Sequence, residues 1–283
     1  MPPQPYIPPP PWWQTGWVAL PIFAAAAGAG VGLAIWQERN APPPFCPETV
    51  TPDGGLLADV DYLEARTADA PTDAELPMVI LLHGRQSTPA QIANAAVALP
   101  KPARLIAPQG FVAGPEGQRS WFEGDGTSLV EEALDLATEL ESFVEAIQKC
   151  RPTRGKPLVA GYDEGALIAY ALATDLPDQI EGAVGAAGPL PAGLGPVVAE
   201  THVVHGRDDA EVPFEPVGQA AAAMAGVGAP IHLHPMSGVG HGLRGALQLE
   251  WLQRILESLP PEPLPPPVEK PPQPPADLPD PRG

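Results

Sequence analysis

Between residues 56 and 259, short apolar runs alternate with amphipathic stretches, and this alternation restricts the fold more than any other feature of the chain. The strand-like runs are Leu56–Glu64, Met78–His83, Arg104–Ala107, Pro157–Ala160, Ile180–Ala186, His202–His205 and Ile231–His234. Helical patterns fall between them, at Pro89–Leu99, Ser128–Lys149, Glu164–Thr174, Glu215–Ala225 and Leu243–Ser258. In the second of these, Leu129, Ala133, Leu136, Leu140, Val144 and Ile147 recur at steps of three or four, which gathers them on one face of a helix. Runs such as MVILL and THVV are apolar at successive positions, so both faces of each strand should be covered, as in a parallel sheet. The expected fold class is α/β, with a mostly parallel sheet flanked by helices.

The ends of the chain are of another kind. Of 42 prolines, seven lie in residues 1–11 and twelve in residues 260–283. Such segments lack backbone donors and buriable surface, so they read as a Pro-rich arm and a disordered Pro-rich tail. Residues 12–37 form an apolar stretch with no charge between Gln14 and Gln37. Trp12, Trp13 and Trp17 stand at one end and Trp36 at the other, as an aromatic belt does. The 19 steps from Trp17 to Trp36 span about 28 Å as a helix, close to the thickness of a bilayer core. No Lys or Arg precedes Arg39, so the basic start of a cleaved leader is missing. The expectation is a single-pass membrane anchor over 12–37, a linker over 38–55 and one domain over 56–259. The acidic, Pro-rich character and the two cysteines suit a domain outside the cytoplasm, where Cys46 and Cys150 could pair.

A formal charge of −19 excludes nonspecific nucleic-acid binding, which needs Lys and Arg against phosphates. Two cysteines exclude a disulfide-rich miniprotein and a four-cysteine zinc site. His232 and His234 alternate on IHLHP and so share a strand face, but no third ligand follows them in the pattern. No metal or cofactor is expected. The Pro-rich ends could dock SH3-like or WW-like protein partners, or act as spacers.

The chemistry concentrates in three places. LVAGYDEGALIAYALA (residues 158–173) carries an apolar strand into a helix through Gly161-Tyr162-Asp163-Glu164-Gly165. This has the form of a nucleophile elbow, G-x-S-x-G, with Asp163 where the serine is expected. HVVHGRDDAEVP (residues 202–213) places acidic residues in the turn after a strand, and SGVGHGL (residues 237–243) places His241 in a glycine-rich loop. The order Asp163, Asp209, His241 is nucleophile, acid, histidine. Upstream, PMVILLHGRQSTP ends a strand on His83-Gly84, APQG ends another at Gly110, and Ser120-Trp121-Phe122 follows in a glycine-rich loop.

These six segments, from about Met78 to about Leu256, together resemble the phospholipase/carboxylesterase branch of the α/β-hydrolases, a group of serine esterases and thioesterases. The resemblance implies an α/β-hydrolase fold without a large cap domain and a small-molecule ester-like substrate. By its pattern, His241 is the catalytic histidine and Asp209 the acid that orients it, with Asp208 as the alternative. The backbone N–H groups of Arg85 and Glu164 match the oxyanion donors. Trp121 matches a residue lining the entrance, with Tyr162 beside it. Gln86 stands where the loop is often glycine.

An aspartate at the elbow changes the chemistry. Near neutral pH it needs no deprotonation. Its attack on an ester carbonyl gives an acid anhydride, a poor intermediate. Its attack on a saturated carbon gives an alkyl ester that His241 can help water to hydrolyse. Epoxide hydrolases and haloalkane dehalogenases of the wider fold use an elbow aspartate in this way, beneath a cap domain. Here only Gly188–Glu200 separates the relevant strands, too little for such a cap. Three readings therefore stand: a hydrolase working through Asp163, His241 and Asp209; a pseudo-hydrolase that binds a ligand or partner without turnover; and an interaction protein acting through its Pro-rich ends.

Overall fold

The computed structural model of the chain describes residues 55–123 and 129–261. Its strands are β1 (Gly55–Leu57), β2 (Val60–Arg66), β3 (Met78–Leu82), β4 (Arg104–Pro108), β5 (Val112–Ala113), β6 (Arg119–Ser120), β7 (Leu158–Tyr162), β8 (Gly182–Ala186), β9 (Glu200–Gly206) and β10 (Ile231–Met236). Its α-helices are α1 (Pro89–Ala96), α2 (Leu129–Cys150), α3 (Glu164–Asp175), α4 (Phe214–Gly226) and α5 (Gly245–Ser258). Among the described residues, eight strands form one sheet in the order β1-β2-β4-β3-β7-β8-β9-β10. β1–β2 and β2–β4 pair antiparallel, and every pair from β4 to β10 is parallel.

The sheet divides the core in two, and β3 shows why. Its five residues are all buried. Met78, Ile80 and Leu82 point to the face covered by α2, α3 and α4, among Leu140, Phe143 and Ile147. Val79 and Leu81 point to the face covered by α1 and α5, among Ile92, Trp251 and Ile255. The unbroken apolar run is thus a consequence of helices on both sides. Helix α3 lies deepest, buried at every position from Glu164 to Ala173. It can do so because β8 is thin: a Cβ on Gly185 would fall 2.1 Å from the Tyr170 hydroxyl. Helix α1 starts with a capping box, the Thr88 hydroxyl accepting from the Gln91 N–H and the Gln91 side chain accepting from the Thr88 N–H. A buried ionic cluster ties the antiparallel edge to the core. The Glu64 carboxylate accepts from Arg104 and, at 2.8 Å, from Arg151. Arg104 also donates to the carbonyls of Thr72 and Ala74, so both terminal nitrogens of the buried guanidinium are engaged, while its Nε has no partner among the described residues.

Two local expectations need correction. The run Leu56–Glu64 is a hairpin, not one strand: Ala58 and Asp59 adopt φ of 49° and 62°, and Leu57 pairs with Val60. A two-residue turn with both φ values positive matches the twist of antiparallel strands, and the apolar residues on either side conceal it in the sequence. The β5–β6 hairpin was also missed, because two-residue strands carry no periodicity. Between β8 and β9 the chain forms only a 3-10 turn at Ala192–Leu194, consistent with the expected lack of a cap at this position.

Among the described residues no helix is long and apolar enough to cross a membrane. The expected arm 1–11, anchor 12–37 and linker through residue 54 lie outside the described residues, as do Cys46 and the tail from residue 262.

Candidate active site

β7 delivers the chain to α3 through a turn that only a tightly packed scaffold would hold. Asp163 sits at φ 54°, ψ −120°, a costly conformation for a residue with a side chain. Two close approaches surround it. A Cβ on Gly161 would lie 2.1 Å from the Gly165 carbonyl, and one on Gly165 would lie 2.2 Å from the Leu82 carbonyl. The Asp163 N–H donates to Ala186 O at 3.0 Å, and its carbonyl accepts from the Ala166 N–H at 3.0 Å. The turn lifts the Asp163 side chain above the carboxyl ends of the parallel strands, where open α/β sheets place their sites.

The turn after β9 brings in the acid. Asp209 Oδ1 accepts from the N–H groups of Glu211 (3.0 Å) and Val212 (2.9 Å), which aims Oδ2 at His241 Nδ1, 2.9 Å away. The Asp209 side chain is fully buried. Asp208 faces away in the same turn and donates its N–H to Val239 O, so the geometry selects Asp209 over Asp208. With the proton on Nδ1, His241 directs the lone pair of Nε2 toward Asp163 Oδ1 at 3.8 Å and the Glu211 carboxylate at 4.0 Å. A second ring, His205, packs beneath Asp209. Its Nε2 lies 3.4 Å from Asp209 Oδ2 and 2.9 Å from Val212 O. Burial pushes the His205 pKa below its ordinary value, so the ring is a neutral donor to the Val212 carbonyl beside the acid. His205 is a residue the motif order did not single out.

The loop after β3 supplies the donors. The Arg85 N–H donates to Asp163 Oδ2 at 2.9 Å, and the Glu164 N–H also acts on this carboxylate. Both expected oxyanion donors are therefore turned on Asp163 itself. Gln86 takes the positive φ, 47°, that glycine adopts more easily, and its N–H donates to Ser120 Oγ at 3.0 Å. Below it, His83 Nε2 accepts from the Gly110 N–H at 3.0 Å, and Nδ1–H donates to Gly84 O at 2.8 Å. Burial lowers the His83 pKa and keeps the ring neutral for this double role.

Trp121 is not where the sequence placed it. It is 2% exposed, stacks on His83 at 5.0 Å between ring centroids and donates Nε1–H to His83 O at 2.8 Å. It is a support beneath the site and not a lining of the entrance; Phe122, the next residue, reaches the cleft. The side chain of Glu164 was missed as well. Its Oε2 accepts from the Trp121 N–H at 2.9 Å, and Oε1 lies 3.7 Å from Arg85 Nε. A carboxylate between Asp163 and Gly165 in an apolar helix start was the only available signal.

Tyr162 lines the cleft, with its ring centroid 5.3 Å from that of His241. Burial, reinforced by the Asp163 charge, pushes its phenol up to about 12, so it is protonated near neutral pH. Burial also raises the Asp163 pKa above the ordinary carboxylate range, against the opposing pull of the Arg85 N–H and His241. The folded protein holds this proton more tightly than the unfolded chain, so ionising Asp163 costs stability as pH rises through the folded value. Asp163→Asn should melt higher than wild type near pH 8, and the gap should close by about pH 3, below the ordinary carboxylate value. Thermal melts across that range check this; a gap that persists at pH 3 would point to packing and not charge.

Above these groups lies a cleft of about 950 Å³ that includes Asp163 and His241. Phe122, Leu167, Leu190 and Val217 form apolar walls, and Arg85 and Arg244 reach its rim.

The sequence profile of the phospholipase/carboxylesterase family matches residues 64–258, the whole of the parallel sheet and its helices. The chain belongs to this family. No curated protein matches the chain. Among solved structures, esterase PE8 is 18% identical and superposes with a TM-score of 0.61 over 71% of this chain and 99% of its own. The Bacillus cereus carboxylesterase is 18% identical, with a TM-score of 0.59 over 70% of this chain and 94% of its own. A carboxylesterase from Mesorhizobium loti is 19% identical, also at 0.59, over 72% and 98%. At these identities the likeness is one of fold. The likeness gives the α/β-hydrolase architecture, and the profile match gives the phospholipase/carboxylesterase family; the elbow of this member carries an aspartate.

Proposed function

We propose that this chain is a hydrolase of alkyl esters in which Asp163 attacks a saturated carbon. The observation that carries the reading is the split role of one carboxylate. Oδ2 is held by the Arg85 N–H at 2.9 Å, while Oδ1 faces the cleft 3.8 Å from His241 Nε2. In the first step Oδ1 forms a bond to the substrate's alkyl carbon, and the bond from that carbon to the ester oxygen breaks. The acid portion leaves with its electron pair as an anion. In the second step water gives a proton to His241 Nε2 and its oxygen adds to Cγ of Asp163. The charge that develops on Oδ2 is already under the Arg85 donor. Collapse breaks Cγ–Oδ1, and the alcohol leaves with the proton from His241.

Among the described residues no cap supplies an acid or a halide pocket, so the reading calls for a leaving group that is stable as it departs. Alkyl esters of strong acids, sulfonates and phosphate esters, meet that need, and Arg85 and Arg244 at the rim suit the departing anion. Asp209 holds the histidine, and Tyr162 borders the reacting carbon. The domain acts as one module of a chain that we read as anchored by residues 12–37 and placed outside the cytoplasm, with its Pro-rich ends open to protein partners.

A second reading rests on the same contact. With the Asp163 carboxylate on the oxyanion donors, a carbonyl substrate finds them taken, which favours a pseudo-hydrolase that binds without turnover. Single turnover of hexyl 4-nitrobenzenesulfonate in H₂¹⁸O separates the two. The first reading places ¹⁸O in Asp163 and leaves the hexanol unlabelled. Label in hexanol, or no hexanol at all, removes it in favour of solvent attack or of binding alone.

A further inference from the structure

Outside the active site, three of the chain's six histidines meet on one face of the sheet edge. β9 and β10 run parallel with His202 opposite His232, and His234 follows two residues on, so all three side chains share a face. His202 Nδ1 and His234 Nε2 are 3.0 Å apart, and the His232 ring stacks on His202 at 5.2 Å. The sequence suggested His232 with His234; the fold instead pairs His234 with a residue 32 positions earlier, which no local pattern reveals.

We infer that His202 Nδ1 and His234 Nε2 chelate one divalent copper ion. Two nitrogens 3.0 Å apart subtend about 95° at a metal with bonds of about 2.0 Å. That is the angle of neighbouring positions in a tetragonal site, the geometry preferred by Cu²⁺, and it is narrower than a tetrahedral ion takes. Among the described residues no three or more ligand side chains converge on a metal-sized point, so water completes the coordination.

The surroundings support the pair. Glu250 lies 3.7 Å from His234 Nδ1, which favours the proton there and leaves Nε2 as the ligand atom. Glu200 holds His232 at 2.6 Å and adds negative charge nearby. Arg254 opposes them, but it is bound to Glu250 at 3.0 Å. In the metal-free chain the two nitrogens share one hydrogen. Binding moves that hydrogen to the other nitrogen of its own ring, and no net proton is released.

The test is titration of the metal-free full chain with CuCl₂ in a non-coordinating buffer, read by calorimetry and by electron paramagnetic resonance. One ion per chain and splitting from two equatorial nitrogens are expected. His202→Gln and His234→Gln should each weaken binding by at least about tenfold, while His232→Gln, a neighbour and not a ligand, stays within about threefold. Melting each metal-free variant checks its fold, and the wild-type spectrum decides even if a variant fails to fold. A spectrum with one nitrogen or none overturns the assignment. So does a His202→Gln, His234→Gln double variant that binds copper like wild type, or loss of binding in His241→Gln.

Discussion

His241→Gln should stop turnover yet leave the first bond-forming step intact. Asp163 attacks as a carboxylate and needs no base, so its alkylation does not depend on His241. Release of the alcohol does, because water must lose a proton as it adds to Cγ. With hexyl 4-nitrobenzenesulfonate, the expected loss in kcat is at least about 10³-fold, in line with removing one member of a group that acts as a unit. One equivalent of sulfonate should still appear. Mass spectrometry of the peptide containing Asp163 should then show a hexyl adduct that accumulates in the variant and is fleeting in wild type. A variant that neither turns over nor carries the adduct would remove Asp163 as nucleophile. Undiminished turnover would remove His241 as base.

Asp163→Ser should move the site in the opposite direction, toward carbonyl esters. The shorter side chain withdraws from the Arg85 and Glu164 donors and frees them for a substrate oxyanion. It also places a hydroxyl where His241, aligned by Asp209 at 2.9 Å, can take its proton. Hydrolysis of p-nitrophenyl acetate is expected to rise by about 10²–10³-fold over wild type, the range set by one oxyanion donor gained or lost. Fluorophosphonate labelling should appear in the variant and not in wild type. An inert variant that keeps wild-type melting would mean that the loop through Gln86 cannot present its donors to a substrate. Wild type already hydrolysing the acetate, with no change in the variant, would place the chemistry elsewhere.

Much of this architecture was legible in the sequence. Unbroken runs such as MVILL could be satisfied only by helices on both faces, and the structure covers β3 from both sides. The elbow was legible because its glycines are required by backbone contacts near 2 Å, which leave the sequence little choice. Asp209 and His241 were named by the resemblance to the family, whose acid turn and glycine-rich histidine loop these segments match, and the fold sets the two side chains 2.9 Å apart. Trp121 was misjudged for the opposite reason. Its neighbours in sequence do not show whether an indole faces a cleft or lies under it, and here the carbonyl of His83, 38 residues earlier, decides. Glu164 and His205 were hidden likewise, since each acts through partners that only the closed fold brings near. The β1–β2 turn was missed because its two residues with positive φ, Ala58 and Asp59, are not the glycine or asparagine that usually announce such a turn.

The short passage from β8 to β9, little more than the turn at Ala192–Leu194, has one further consequence. Among the described residues nothing is built above the cleft at this crossing, and under the proposed alkyl-ester chemistry the site measures its substrate here near the bond that breaks. On that reading the remainder of the molecule can trail outward past the rim at Arg85 and Arg244. Selection at this crossing would then be by leaving group and local shape.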